Sequence, residues 1–327
     1  MAAGESAGNG RPPAISIVIC TYDRPDALVR CLESLRLQQV GHPFEIVVVD
    51  NHPQSAKTVS LYTAYPAVRW LQQPVAGLSR ARNTGIRAAL GEVIVTTDDD
   101  IVAPPDWLHL LTAPLFAGDP TLVATTGDCF ALKVTTEAER LFEAYGGLRH
   151  GDTPAIFDKH FMRRSKISFP QLWRIGATAN AAFRASLFQP DSTVGLFEER
   201  LGAGTPPGAW EDIYAFWRIL SAGYRIAYVP AARLGHAHRE TMPALQRQLE
   251  AYRRGEIAFL LMMLLRHGEV RALGQMFWWI PKWRFALLVQ ETARRLRGQR
   301  KFSFRMFWPE TLAYFAGPWA LWQSWRR

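Results

Sequence analysis

The sequence predicts an α/β fold: a doubly wound sheet followed by a C-terminal amphipathic helical tail. Three observations carry that expectation. Short runs rich in Val and Ile alternate with stretches of helical periodicity, acidic residues follow directly after the apolar runs, and the composition changes after Gln246. Over 327 residues the chain is 48% hydrophobic, 20% charged and 12% aromatic, which excludes a disordered, collagen-like or low-complexity protein. Lys plus Arg number 38 against 29 Asp plus Glu, a surplus suited to nucleic acid, anionic lipid or a phosphorylated small molecule.

Residues 1–13 are small and polar and read as a disordered leader, neither secretory signal nor anchor. The first strand is ISIVIC; Asp23 can cap the helix that follows, Pro25 sits near its start, and Leu28, Cys31, Leu32 and Leu35 keep helical spacing. EIVVVD, Val-rich on both faces, reads as a parallel strand covered on each side. AVRWLQ, the helix SRARNTGIRAAL, the strand EVIVTT and the helix DWLHLLTAPLF continue the alternation. From Thr121 to His238 the pattern is less regular: TLVATTGDCFAL is strand-like and GAGTPPGAW is a loop. A helix follows with Ile213, Phe216, Trp217 and Leu220 on one face, opened by Glu211 and Asp212, and RIAYVP reads as a short strand ended by Pro230. Cys20, Cys31 and Cys129 make neither an even disulfide set nor a zinc spacing, so a reduced cytosolic chain is the default.

Candidate chemistry gathers at the carboxyl ends of the expected strands, where open parallel sheets bind their ligands. Asp98, Asp99 and Asp100 follow EVIVTT, and adjacent carboxylates suit a hard divalent cation, with a solvated turn or helix cap as the bland alternative. Tyr22, Asp23, Asp50 and Asn51 share that rim, an aromatic ring to stack on a base and carboxylates to accept from it, though capping and turn roles stand beside that reading. Arg80, Arg82 and Asn83 lie in the first turns of a helix whose N-terminus already favours anions. Neither GxGxxG nor GxxxxGK[ST] occurs, so a dinucleotide oxidoreductase and a P-loop ATPase are unsupported.

Taken in order, ISIVICTYDRPDALVRCLESL, EIVVVDN, GLSRARNTGI, VTTDDDIVAPPDWL, IGATANAAFRASLF, GLFEERLGAG, WEDIYAFWRILSAGYRIAYVP and ARLGHAH resemble the family 2 glycosyltransferases of the GT-A fold, across most of residues 14–240. The resemblance implies a mixed sheet, with residues 14–125 as the nucleotide-sugar half and 126–246 as the acceptor half. It implies an inverting sugar transfer from a nucleotide-sugar donor, with UDP as the default base, assisted by Mg²⁺ or Mn²⁺. Tyr22, Asp23, Arg24, Asp50, Arg82, Asn83, Asp98 and Asp99 would bind the donor. Asp100 and His236 would hold the metal, His238 competing for that role, and Asp212 of the Glu211–Asp212 pair would be the general base. Asp23 stands where the family often has Asn, and three consecutive acids leave the DxD register open by one position. Segment 143–174, aromatic and basic, is where acceptor choice is expected. The rivals are a catalytically silent nucleotide-sugar or membrane-surface binding protein and a sugar nucleotidyltransferase.

Residues 247–327 hold 15 Lys or Arg against five Glu and no Asp, and seven of the twelve tryptophans. IAFLLMMLL, MFWWI, FALLV and LAYFAGPWALW are each interrupted before about 20 apolar residues, too short to span a bilayer. Arginines in RRGE, RHGEVR, PKWR, RRLRGQRK and the terminal WRR interleave with tryptophan, as in segments lying among lipid headgroups. The expectation is a peripheral protein on an anionic, cytoplasmic membrane face with a lipid-linked or glycan acceptor; the alternative is a tail that packs on the catalytic domain and exposes a solvated basic face. No nucleic-acid-reading module is present, so nucleic acid is not an expected partner.

Overall fold

In the computed structural model, which describes residues 12–164, 167–298 and 304–326, the β-branched runs form a mixed sheet. Its strands are β1 (Ile15–Thr21), β2 (Phe44–Asp50), β3 (Arg69–Gln72), β4 (Val93–Asp98), β5 (Ile101–Val102), β6 (Leu122–Ala131), β7 (Ala155–Phe157), β8 (Asn180–Arg184) and β9 (Arg225–His236). They lie in the order β3-β2-β1-β4-β8-β6-β9-β5, with β7 beside β9. Pairing is parallel from β3 through β4 and between β6 and β9; β8 runs antiparallel to β4 and β6, as do β5 and β7 to β9.

Alternation along β1 explains the two-sided core. Ile15, Ile17 and Ile19 pack with α1 (Pro25–Arg36) and, later in the chain, Trp107 and Leu111 of a helix at Trp107–Phe116. Val18 and Val47 point the other way, toward Ile86. The remaining helices in chain order are α2 (Val59–Ala64), α3 (Leu78–Ala88), α4 (Trp107–Phe116), α5 (Glu137–Tyr145), α6 (Lys159–Arg163), α7 (Glu211–Ser221), α8 (Met242–His267), α9 (Arg271–Gly274), a π-turn at Gln275–Trp279, α10 (Ile280–Leu296) and α11 (Phe304–Trp325). After β1 the chain adds β2 and β3 on one side, then returns to place β4 on the other. The ends of β1, β2 and β4 are thereby brought side by side, with Thr21 level with Asp50 and Cys20 level with Asp98.

Two local expectations are corrected. Asp23 does not cap α1: the cap position is Arg24, while Asp23 takes a left-handed backbone (φ 57°) and turns its carboxylate toward the loop after β2. Nor does Pro230 end its strand. Opposite β6, Val229 is level with Gly127 and Leu234 with Cys129, so Pro230 sits in a bulge where its missing N–H breaks no ladder bond. Gly127 makes the bulge possible, because a Cβ there would strike the Ala232 carbonyl oxygen. The strand thus runs on to His236, which pairs with Ile101 just beyond the three acids.

The compositional boundary after Gln246 falls inside α8, whose N-cap is Thr241. Ile257, Phe259, Met262 and Met263 share one core with Tyr214 and Phe216 of α7 and with Tyr314 and Leu321 of α11. α8 and α11 meet closely at Gly317, where a Cβ would collide with Ile257. Glu310, fully buried, accepts from Arg253 (3.0 Å) and Tyr145 (3.1 Å), which ties α11 to α8 and α5. The expected leader and part of the RRLRGQRK segment lie outside the described residues.

Candidate active site

The carboxylates at the end of β4 and in the turn that follows it divide by partner. Asp98 and Asp100 turn toward His236, and Asp99 toward Thr21. Asp99 accepts from the Thr21 hydroxyl (2.8 Å) and from Arg24 (3.2 Å), so it faces the end of β1. Burial, together with the charges of Asp100 and Asp98, pushes its carboxyl up to about 6 against the pull of Arg24 and Thr21.

Asp98 and Asp100 meet His236, and one ligand atom from each of the three lies within 4.8 Å of the others. His236 Nε2 is 3.6 Å from Asp98 and 3.3 Å from Asp100, while its Nδ1 donates to the Ala237 carbonyl (2.9 Å). That second bond orients the ring and turns Nε2 toward the acids, the arrangement a metal-ligating histidine uses. Burial alone would lower the His236 pKa, but the bond to Asp98 and the charges of Asp100 and Asp98 raise it. Asp100 Oδ1 is buried without a hydrogen-bond partner, so a polar atom aimed into the cluster is left for a cation. Two carboxylates and an imidazole suit Mg²⁺ or Mn²⁺. His238 turns elsewhere: it bonds Glu143 (2.7 Å) and packs edge-on against Phe142. On the other side of Asp100 stand Arg24 (2.7 Å) and Arg239 (3.6 Å).

Arg82, 2% exposed, links this cluster to α7. Its guanidinium lies 3.7 Å from Asp98, 3.6 Å from Glu211 and 5.0 Å from the centre of the Phe197 ring. Next to it, Asn83 bonds the backbone of Phe197 in both directions and the Glu199 carboxylate (3.0 Å), fixing the loop over which Arg82 is laid. Glu211 and Asp212 open α7 after Trp210, whose indole is tied to the Tyr252 carbonyl (2.8 Å). At a helix N-terminus the dipole and the Ile213 N–H (2.7 Å) favour an ionised Asp212. Desolvation, reinforced by the Glu211 charge, wins and pushes its carboxyl up to about 7. Glu211 is raised as well, by burial first, with Arg82 opposing.

A second group gathers around His52, which the sequence reading passed over although it directly follows VVVDN. Tyr22 stacks on the His52 ring at 4.6 Å between centroids, 6° from coplanar. Asp23 accepts from Ser55, His52 (3.0 Å) and Lys57 (3.2 Å), and the Ser55 bond foremost lowers its carboxyl to about 2. Asp50, nearly inaccessible, accepts from Thr58, Tyr62 (3.0 Å) and the His52 N–H (2.9 Å). Arg239 and Thr21 were missed too; Arg239 stands one residue past ARLGHAH, a position only the folded β9 brings to Asp100.

Residues 16–189 match the family described as Glycosyl transferase family 2. An N-acetylglucosaminyltransferase of Sinorhizobium fredii is 24% identical over 74% of this chain and 57% of its own length, so the chain spans little more than half of that relative. The uncharacterized glycosyltransferase YwdF of Bacillus subtilis is 25% identical over 90% of this chain and 95% of its own. Among solved structures, the mannosyltransferase PcManGT from Pyrobaculum calidifontis, in complex with GDP-Man and Mn²⁺, aligns over 97% of this chain and 74% of its own at 18% identity and a TM-score of 0.50, a likeness of fold. With the match covering more than half of its length on a GT-A-like mixed sheet, the chain belongs to glycosyl transferase family 2.

Proposed function

We propose that this chain is an inverting, metal-assisted glycosyltransferase. It moves a sugar from a nucleotide-sugar donor, a UDP-sugar foremost, to a hydroxyl of a lipid-linked or glycan acceptor at the cytoplasmic face of a membrane, to which the protein attaches peripherally. The observation that carries the reading is Arg82, a buried guanidinium that joins the Asp98 side of the donor cluster to the Glu211–Asp212 start of α7. It supports one cleft with cation chemistry on one wall and a poised carboxylate on the other.

In this reading Asp98, Asp100 and His236 would hold Mg²⁺ or Mn²⁺, and the chemistry such a cation would supply there is electrostatic neutralisation of the donor diphosphate. Tyr22 offers a face to the base and Asp50 an acceptor at its edge. Asp23, Arg82, Asn83 and Asp99 complete the donor side, Asn83 and Asp99 by positioning Phe197 and Thr21. Arg24 and Arg239 add preorganised positive charge beside Asp100. Asp212 takes the proton of the acceptor hydroxyl; the acceptor oxygen bonds the anomeric carbon as the bond from that carbon to the diphosphate breaks, and the nucleoside diphosphate leaves with the electron pair. One displacement from the opposite face inverts the anomeric centre. Segment 143–174 is assigned acceptor choice.

Asp212→Asn tests the reading. The amide preserves shape and the bond from Ile213 but cannot take a proton, so transfer should fall by about 10²–10⁴ while stabilisation by the nucleotide-sugar persists. Turnover near the wild-type rate would overturn the assignment.

A further inference from the structure

The two C-terminal helices are turned inside out. Along α11, Trp308 (61% exposed), Leu312, Phe315 (79%), Trp319 and Trp322 are open to solvent, and their spacing puts them in one stripe. The opposite stripe buries the helix's one acid, Glu310 (0%), and Ser324. α10 repeats the inversion: Arg284 and Glu291 are buried, whereas Trp283, Phe285, Val289 and Leu296 are exposed. A water-facing helix places charge outside, because burying charge costs free energy unless partners compensate. Here Glu310 is compensated inside by Arg253, Arg284 and Tyr145, and the outer stripe is left apolar. Contiguous apolar surface of this kind marks a contact with something other than water.

Charge decides what that something is. Both acids among the described side chains of these helices, Glu291 and Glu310, are buried, so the exposed charges on and flanking them, Lys282, Arg295, Arg297 and Arg326, are all cations. A second copy meeting this face about a two-fold axis would bring cations toward cations. An anionic bilayer meets them with phosphate. Arg326 lies over the Trp322 ring (3.7 Å) and Lys282 over Trp279 (5.2 Å), pairing a cation with an interface-seeking aromatic. Among the described residues no helix is long and apolar enough to cross a membrane.

We propose that the outward faces of α11 and α10 form a monotopic contact that seats the protein in the headgroup region of an anionic bilayer, with the helix axes in the membrane plane. This deepens the peripheral-attachment part of the proposed function and depends on none of its chemistry. Since α11 packs on α8, and α8 shares a core with α7, the seat is rigidly joined to the helix that carries Asp212.

The test uses the full chain, flotation with vesicles of phosphatidylcholine alone or mixed with phosphatidylglycerol, and the triple variant Trp308→Gln, Phe315→Gln, Trp319→Gln. The wild type should float with the anionic vesicles, less so at high salt. In the triple variant partitioning should fall by about a hundredfold at an unchanged melting temperature, since these side chains are exposed; the three single variants, each with a partial loss, cover the case in which the triple variant misfolds. A wild type that stays at the bottom, or a triple variant that floats as well, overturns the proposal. A wild-type dimer in sedimentation that the triple variant converts to monomer also overturns it, in favour of a second copy. Donor-induced stabilisation measured on the same samples keeps the two readings apart: binding without flotation refutes only the membrane seat, and flotation without binding refutes only the transfer chemistry.

Discussion

Removing the Arg82 guanidinium while keeping its length, as in Arg82→Met, leaves Asp98 and Glu211 facing each other with no cation between them. Breaking a buried ion pair from one side costs about 3–5 kcal/mol, because the remaining charge is stranded. The low end applies here. The separations of 3.7 and 3.6 Å exceed a short hydrogen bond, and Asp98 keeps 31% of its side-chain exposure, so water can relieve part of the loss. A loss of about 3 kcal/mol against an unfolding entropy of roughly 2.1 cal/mol/K per residue over 327 residues lowers the melting midpoint by about 4 °C. The pH dependence separates charge from packing. Burial pushes Asp98 up, but the His236 bond and Arg82 hold it below its ordinary value. A depressed carboxylate contributes stability that is present above its unfolded pKa of about 3.9 and lost as pH falls through the folded one. The gap between wild type and Arg82→Met should therefore be widest near neutrality and narrow in acid, with Arg82→Lys falling between them. Thermal melts across that range provide the assay. A gap below about 1 kcal/mol at neutral pH, flat toward acid, would refute the bridge as the element joining the two walls.

Much of the architecture was legible because it rests on local rules. β1, β2 and β4 are β-branched and buried on both sides, and the acids that follow them had to lie on the rim that an α/β sheet offers to ligands. Long-range geometry was not legible in the same way. Pro230 looks like a strand end until Gly127, a hundred residues earlier, provides room for a bulge, and only then does His236 reach Asp100. Asp99 resembles its neighbours in sequence, yet the turn after β4 hands it to Thr21. The tension at Asp212 between helix dipole and desolvation could be stated from sequence, but its outcome depended on the Glu211 charge and on packing. The tail shows the same limit. Its surplus of arginine and tryptophan can be counted in the sequence, whereas Arg253, Arg284 and Glu310 pairing inward, with the aromatic stripe left outside, follows from how α8, α10 and α11 pack.

The remaining predictions concern the cation and the base. Mn²⁺ at about 100 times its dissociation constant should stabilise the wild type by roughly 2.7 kcal/mol, reversibly with EDTA; His236→Ala should lose most of that shift, and an undiminished one would remove His236 from the ligand set. If Asp212 takes the acceptor proton as proposed, the turnover of the wild type should rise with pH through about 7, where its carboxylate forms, and then level off. The linked stability has the opposite sign to that of Asp98. A carboxyl raised in the folded state binds its proton more tightly than the unfolded chain does, so its contribution is full at low pH and is lost as pH rises from its unfolded value through about 7. Asp212→Asn cannot ionise, so above neutral pH it should melt at a higher temperature than the wild type while its transfer stays about 10²–10⁴-fold lower. Equal or lower stability there would mean that Asp212 is not held against its charge, and the basis for its role as the proton acceptor would fail.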